Sequence, residues 1–153
     1  MVAKRYEELE AWQLSNELKR NVYAILASTS ARDDWKFRDQ ITDSAASGPA
    51  NLAEGFGYYR HPEFAKHTRI AKASLMETQN HLGDGIDRGH WSEDRVGPLL
   101  KLVDRAIRVT VGLLQHLETT EAPGTEGKPR RTGTTFRKRE RKTQRPSTEH
   151  EST

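Results

Sequence analysis

The most constraining feature of the chain is an apolar stripe near its middle third's end: Val96, Leu99, Val103, Ala106, Thr110, Leu113 and Leu117 recur at intervals of three and four residues. That period lines up side chains on one face of an α-helix. A strand, whose side chains alternate every second residue, cannot bury such a set on one side. The same period governs three earlier segments. Ala11, Leu14, Leu18, Val22 and Ile25 mark a helix from about Leu9 to Ala27; Phe37, Ile41, Ala45, Gly48, Leu52 and Phe56 mark a second; Phe64, Ala71, Leu75, Thr78 and Leu82 mark a third. Helices of roughly 19 to 27 residues joined by short loops predict an all-α fold, an antiparallel up-and-down four-helix bundle.

Local signals punctuate the stripes. Ser28, Thr29 and Ser30 end the first helix, and Asp33 or Asp34 is placed to cap the second. Gly55, Gly57 and Tyr58 close that helix, and Pro62 suits the first turn of the third, where a missing N–H is harmless. The third is expected to fade through Gly83, Gly85 and Gly89, and Ser92 to cap the fourth, with Glu93 and Asp94 at its positive end.

Two features go beyond a plain bundle. The stretch SAASGPANLAEGFGYY, residues 44–59, sets Gly48 and Pro49 inside the second helix, although these are the poorest helix formers. Ala45 and Gly48 fall on its buried stripe, where small side chains let another helix approach. Pro49 forfeits the bond to the Ala45 carbonyl and is expected to kink the helix, with Ser44 and Ser47 partly satisfying the freed groups. Asn51 and Glu54 read as hydrogen-bonding residues of the same element, followed by Gly55. The fourth helix also carries a second stripe, Leu100, Ile107, Val111 and Leu114. So wide an apolar face fits either burial against another subunit or a thick core within one chain.

Composition divides the chain. Only 33% of its 153 residues are hydrophobic and mean hydropathy is −0.89, so the core must be concentrated in one region. Residues 1–118 form the expected bundle domain. Residues 119–153 hold only Ala122 and Phe136 as apolar residues, among many Ser, Thr, Gly and Pro, and cannot offset the entropy of ordering. This tail is expected to be disordered. It holds nine basic residues (Lys128, Arg130, Arg131, Arg137, Lys138, Arg139, Arg141, Lys142 and Arg145) against five acids, a net +4, whereas residues 1–118 stand at 16 minus 17, or −1.

Several chemistries find no support. Without cysteine there is no disulfide, thiolate metal site or cysteine nucleophile. MVAKRYEELEAW lacks the apolar core of a signal peptide, and no apolar run approaches the roughly 18 residues of a membrane span, so a cytoplasmic protein with no membrane partner is expected. Di-iron bundles use Glu-x-x-His, which is absent; Glu77, His81 and Asp84 share one helical face but cannot close a site from one helix, and read as a solvated polar face. The remaining histidines are scattered, Ser47 lacks a nucleophile-elbow setting, and Gly48, Gly55 and Gly57 form no phosphate loop. Neither an enzyme nor a metal or cofactor is expected.

The chain resembles the four-helix-bundle family of 23S rRNA intervening-sequence proteins, related to the accessory variability proteins of diversity-generating retroelements. The resemblance covers about residues 6–118. It rests on YEELEAWQ in the first helix, Gln40-Ile41 followed by SAASGPANLAEG in the second, and HPEFAKHTRIAKASLMET in the third. Asn51, Ala53, Glu54 and Gly55 match the family's Asn-Ile-Ala-Glu-Gly, with Leu52 in place of isoleucine. The resemblance implies a homopentameric barrel of bundles with a basic surface for RNA or DNA and, in the retroelement relatives, contact with a reverse transcriptase. It does not imply catalysis. Thr42 and Asp43 stand where family members carry a basic pair, and Ala73-Ser74 replaces Gly-Ser; the first departure removes positive charge from that patch.

Residues left to bind an anionic partner are Lys36, Arg38, Arg60, Lys66, Arg69 and Lys72 on the bundle, with Tyr58 and Tyr59 beside Arg60. They read either as a phosphate-tracking surface with an aromatic edge or as a solvated face neutralised by Glu63 and Glu77. In the tail, RKRERK at 137–142 is polybasic, suited to releasing counterions from nucleic acid with little sequence specificity, or to solubilising the chain. The expectation is a non-enzymatic oligomeric bundle that binds structured RNA or DNA through basic surface and tail. The alternative is an adaptor docking a protein such as a reverse transcriptase.

Overall fold

The structure, a computed structural model, describes residues 2–58 and 60–120. Four helices carry the fold: α1 (Glu10–Ala27), α2 (Trp35–Phe56), α3 (His61–Asp87) and α4 (Glu93–Thr119). Single 3-10 turns at Tyr6–Glu8 and Ser30–Asp33 precede α1 and α2. Each helix packs on its sequence neighbours, and α1 closes the ring against α4. Side-chain bonds give the directions. Glu10 at the start of α1 meets Arg105 in the middle of α4, while Ser28 after α1 meets Arg95 at the start of α4, so the two run antiparallel.

The stripes enclose the core as their period predicts. Leu18, Val22, Phe37, Ile41, Leu52, Leu75, Leu82, Val96 and Val103 have almost no exposed surface, and burying each such side chain contributes about 1.5–3 kcal/mol. Phe56 and Leu113, at the margins of their stripes, are only half-buried. The second stripe of α4, Leu100, Ile107, Val111 and Leu114, is likewise half-buried in the single chain. No helix among the described residues is long and apolar enough to cross a membrane.

The helix ends correct two expectations. Asp34 occupies the N-cap position of α2 but makes no capping bond; its carboxylate turns instead to His90 and Arg88. α3 does not fade at Gly83 or Gly85 but runs to Asp87. Gly85 lies inside it because a Cβ there would stand 2.1 Å from Cζ2 of Trp91. The turn comes at Gly89, whose φ of 77° is left-handed. Its N–H donates to the Ile86 carbonyl and that of His90 to the Gly85 carbonyl, a Schellman ending that delivers His90 and Trp91 to the core's edge. Ser92 caps α4, its hydroxyl accepting from the Arg95 N–H at 3.2 Å.

Pro49 stands inside α2, which continues through it to Phe56. The Ser44 hydroxyl donates to the Ile41 carbonyl at 3.1 Å.

Candidate nucleic-acid interface

The residues that the sequence singled out around Gly48 and Pro49 meet α3 along a line of polar contacts. Thr78 Oγ1 donates to Ser44 Oγ at 2.9 Å, and Ser74 Oγ to Ser47 Oγ at 2.8 Å. Asn51 Nδ2 donates to the Ser47 carbonyl and hydroxyl, and Asn51 Oδ1 lies 3.3 Å from His67 Nδ1. The amide oxygen only accepts, so His67 carries a proton on Nδ1. As residue numbers rise along α2 their partners' numbers fall along α3, which fixes these helices as antiparallel.

Gly48 and Gly55 differ in what their missing Cβ allows: of the two, only Gly55 is needed for the helices to close up. A Cβ on Gly48 would touch Leu75 at 3.5 Å, an ordinary contact, whereas one on Gly55 would stand 2.8 Å from both His67 Cβ and Phe64 Cδ2. Glu54, largely exposed, brings Oε2 to 3.9 Å from His67 Nδ1. Tyr58 lies over the same imidazole, ring centroids 5.2 Å apart and planes 14° from parallel. Asn51, Glu54, Gly55 and Tyr58 therefore converge on one α3 residue. Sequence reasoning missed His67, because its partners lie in another helix and no local spacing links them.

The basic candidates separate into two groups. Ser44 faces Thr78, so at 1.5 Å per residue Lys36 and Lys66 lie roughly 30 Å apart along the bundle. At the α1–α2 end, Lys36 is exposed and Arg38 is engaged: it donates to the Arg32 carbonyl, pairs with Asp39 at 3.4 Å and lies 5.8 Å over the Trp35 ring. At the α2–α3 end, Arg60 and Lys66 are exposed and Arg69 pairs with Glu118 of α4 at 3.3 Å. Lys72 is half-buried one turn beyond. Asp39 and Asp43 are exposed on α2 between the two groups, so Asp43 places negative charge where the family resemblance implied positive.

The last described residue, Thr120, lies at the Arg60 end of the bundle. His61 Nδ1 donates to the Thr120 carbonyl at 3.0 Å, and Thr120 Oγ1 donates to the His116 carbonyl. Lys128, Arg130, Arg131, Arg137, Lys138, Arg139, Arg141, Lys142 and Arg145 lie outside the described residues, as does Tyr59.

Other polar groups were also brought together. Glu77 and His81 pair at 3.5 Å, but Asp84 turns to Arg88 at 2.7 Å, and among the described residues no three candidate ligands cluster around a metal position. The histidines are scattered in sequence only: His90 bridges Asp34 and Ser30, and His61 lies 6.2 Å from His116.

A family model described as 23S rRNA-intervening sequence protein matches residues 7–112. The chain belongs to this family. No curated protein matches it. The span matched to the 23S rRNA-intervening sequence proteins contains α1, α2, α3 and most of α4, hence the whole α2–α3 line of contacts and Arg60, Lys66, Arg69 and Lys72. It stops short of Glu118 and of the basic segment that follows.

Proposed function

We propose that this protein is a non-enzymatic, oligomeric bundle that binds structured RNA or DNA, with Arg60, Lys66, Arg69 and Lys72 and the basic segment beyond Thr120 acting together. One observation carries the reading: the contact between His61 and Thr120 sets the last described residue beside the Arg60 and Lys66 end of the bundle. The sequence from 119 to 153 supplies nine basic residues against five acids, and the described basic residues of that end carry the same sign. Membership in a family described by 23S rRNA supports an RNA-associated role. The half-buried stripe Leu100, Ile107, Val111 and Leu114 supports self-association, with the pentamer of the family resemblance as the expected assembly. The same stripe would serve a protein partner such as a reverse transcriptase, which is the second reading.

Neutralising phosphates releases counterions, so affinity should fall steeply with salt. The test compares the natural chain with one whose nine tail Lys and Arg residues are replaced by glutamine, using an rRNA fragment at several salt concentrations. Loss of most affinity and a shallower salt dependence support the reading. Equal binding by both chains at every salt concentration overturns it, and retention of a protein partner after nuclease treatment favours the second reading.

A further inference from the structure

The Arg60 end of the bundle also holds an exposed, pre-positioned aromatic ring. Tyr58 follows the C-cap of α2, where its N–H donates to the Gly55 carbonyl at 3.1 Å. One face of its ring covers the imidazole of His67 with the planes 14° from parallel, while 45% of the residue remains exposed. Close to half of the residue is thus open to solvent beside that stack. His67 is itself held by Asn51 and is only 15% exposed in its side chain, so the stack rests on an ordered support. Arg60 stands two residues beyond Tyr58, and Lys66 immediately precedes His67; among the described residues neither is in an ion pair.

We infer that Tyr58, backed by His67, is a stacking platform for an unpaired base of RNA or DNA, with Arg60 and Lys66 holding the adjoining phosphates. This rests on the nucleic-acid reading above and adds to it a preference for unpaired segments. Base faces inside a duplex are already occupied by their neighbours, so a flat aromatic surface gains only from a base free to leave its stack. Arg and Lys flanking the ring hold the backbone without reading sequence. The preference is therefore for single-stranded loops or ends of any sequence. The ring needs little ordering on binding, because Asn51 already holds His67 beneath it.

The test uses the full chain with a fluorescent single-stranded RNA of about 16 nucleotides, the same RNA annealed to its complement, and the corresponding DNA pair, all at one salt concentration. The natural protein should bind the single strands more tightly than the duplexes. Stacking one base on an aromatic ring is worth enough that Tyr58→Ala should weaken single-strand binding by at least about fivefold, with little change on duplex. Tyr58→Phe keeps the ring and should keep the preference, which separates stacking from loss of the hydroxyl. Agreement between RNA and DNA assigns the preference to the base, and a preference confined to RNA assigns it to the ribose and overturns stacking as its source. Binding to all forms with no single-strand preference, or a preference that survives Tyr58→Ala, overturns the platform while leaving the nucleic-acid reading intact. Absence of binding to every probe overturns both.

Discussion

His90 Nε2 donates to Asp34 Oδ2 at 2.8 Å, joining the α3–α4 connection to the start of α2. Because the carboxylate only accepts, the ring carries a proton on Nε2, and its Nδ1 lies 2.8 Å from the Ser30 hydroxyl. The His90 bond is the main reason the Asp34 carboxyl lies below the ordinary carboxylate range; partial desolvation opposes it, and it is reinforced by Arg88 and by the Phe37 amide, which favours the charge without completing a capping bond. A carboxylate depressed by folding contributes stability above its unfolded value, near 3.9, and the contribution is lost as pH falls through and below that value. Asp34→Asn should therefore lower the melting temperature at pH 7, and the gap from the natural chain should narrow below about pH 4. A constant gap across thermal melts at both pH values would contradict the assignment.

Glycines of α3 should respond in opposite directions. A Cβ at Gly85 would collide with Trp91 Cζ2 at 2.1 Å, whereas one at Gly83 meets nothing within 4 Å. Gly85→Ala should destabilise by about 1–3 kcal/mol, as overpacking does. Gly83→Ala should stabilise by about 0.4–1 kcal/mol, through a less flexible unfolded chain and better helix propensity. Denaturant midpoints of the two variants would test this.

Thr110 is fully buried in α4, and its hydroxyl has no hydrogen-bond partner. Replacing such a group by an apolar one of the same shape removes a desolvation penalty of about 1–3 kcal/mol. Thr110→Val should raise the melting temperature, whereas Thr78→Val, which breaks the bond to Ser44 Oγ, should lower it.

The separation of the basic groups gives a salt-dependence test. Each phosphate contact removed should flatten the log–log slope of affinity against salt by about 0.7 on single strands. Arg60→Gln combined with Lys66→Gln should flatten it by about 1.4, as the sum of two such contacts. Lys36→Gln, roughly 30 Å away along the bundle by helical rise, should leave the slope nearly unchanged.

The bundle was legible in the sequence because its core repeats locally: Val96 to Leu117 declare a helix by spacing alone, and so do Ala11 to Ile25. Ser92 likewise announced its cap. What spacing could not show was which polar side chains meet between helices. His67 and Asn51 are 16 residues apart, and His90 and Asp34 are 56 apart. Asp34 was misread for the same reason, since a local cap and a distant histidine compete for one carboxylate. Gly85 read as a helix breaker because nothing in its neighbourhood reveals the indole of Trp91 that requires its missing Cβ. The basic residues were legible as charge but not as places, because position along a bundle follows from how the helices pair.

The polar rungs between α2 and α3 carry a consequence for how the helices align. An apolar stripe is nearly self-similar after one turn, so α3 could slide by a turn along α2 and still bury leucine against alanine. Ser44 with Thr78, Ser47 with Ser74 and Asn51 with His67 do not tolerate that slip. Partners are separated by three and four residues on α2 but by four and seven on α3, so no other offset rejoins all three. The ladder works as a key cut for a single position: oil-like contacts bring the helices together, and three hydrogen bonds choose where they stop.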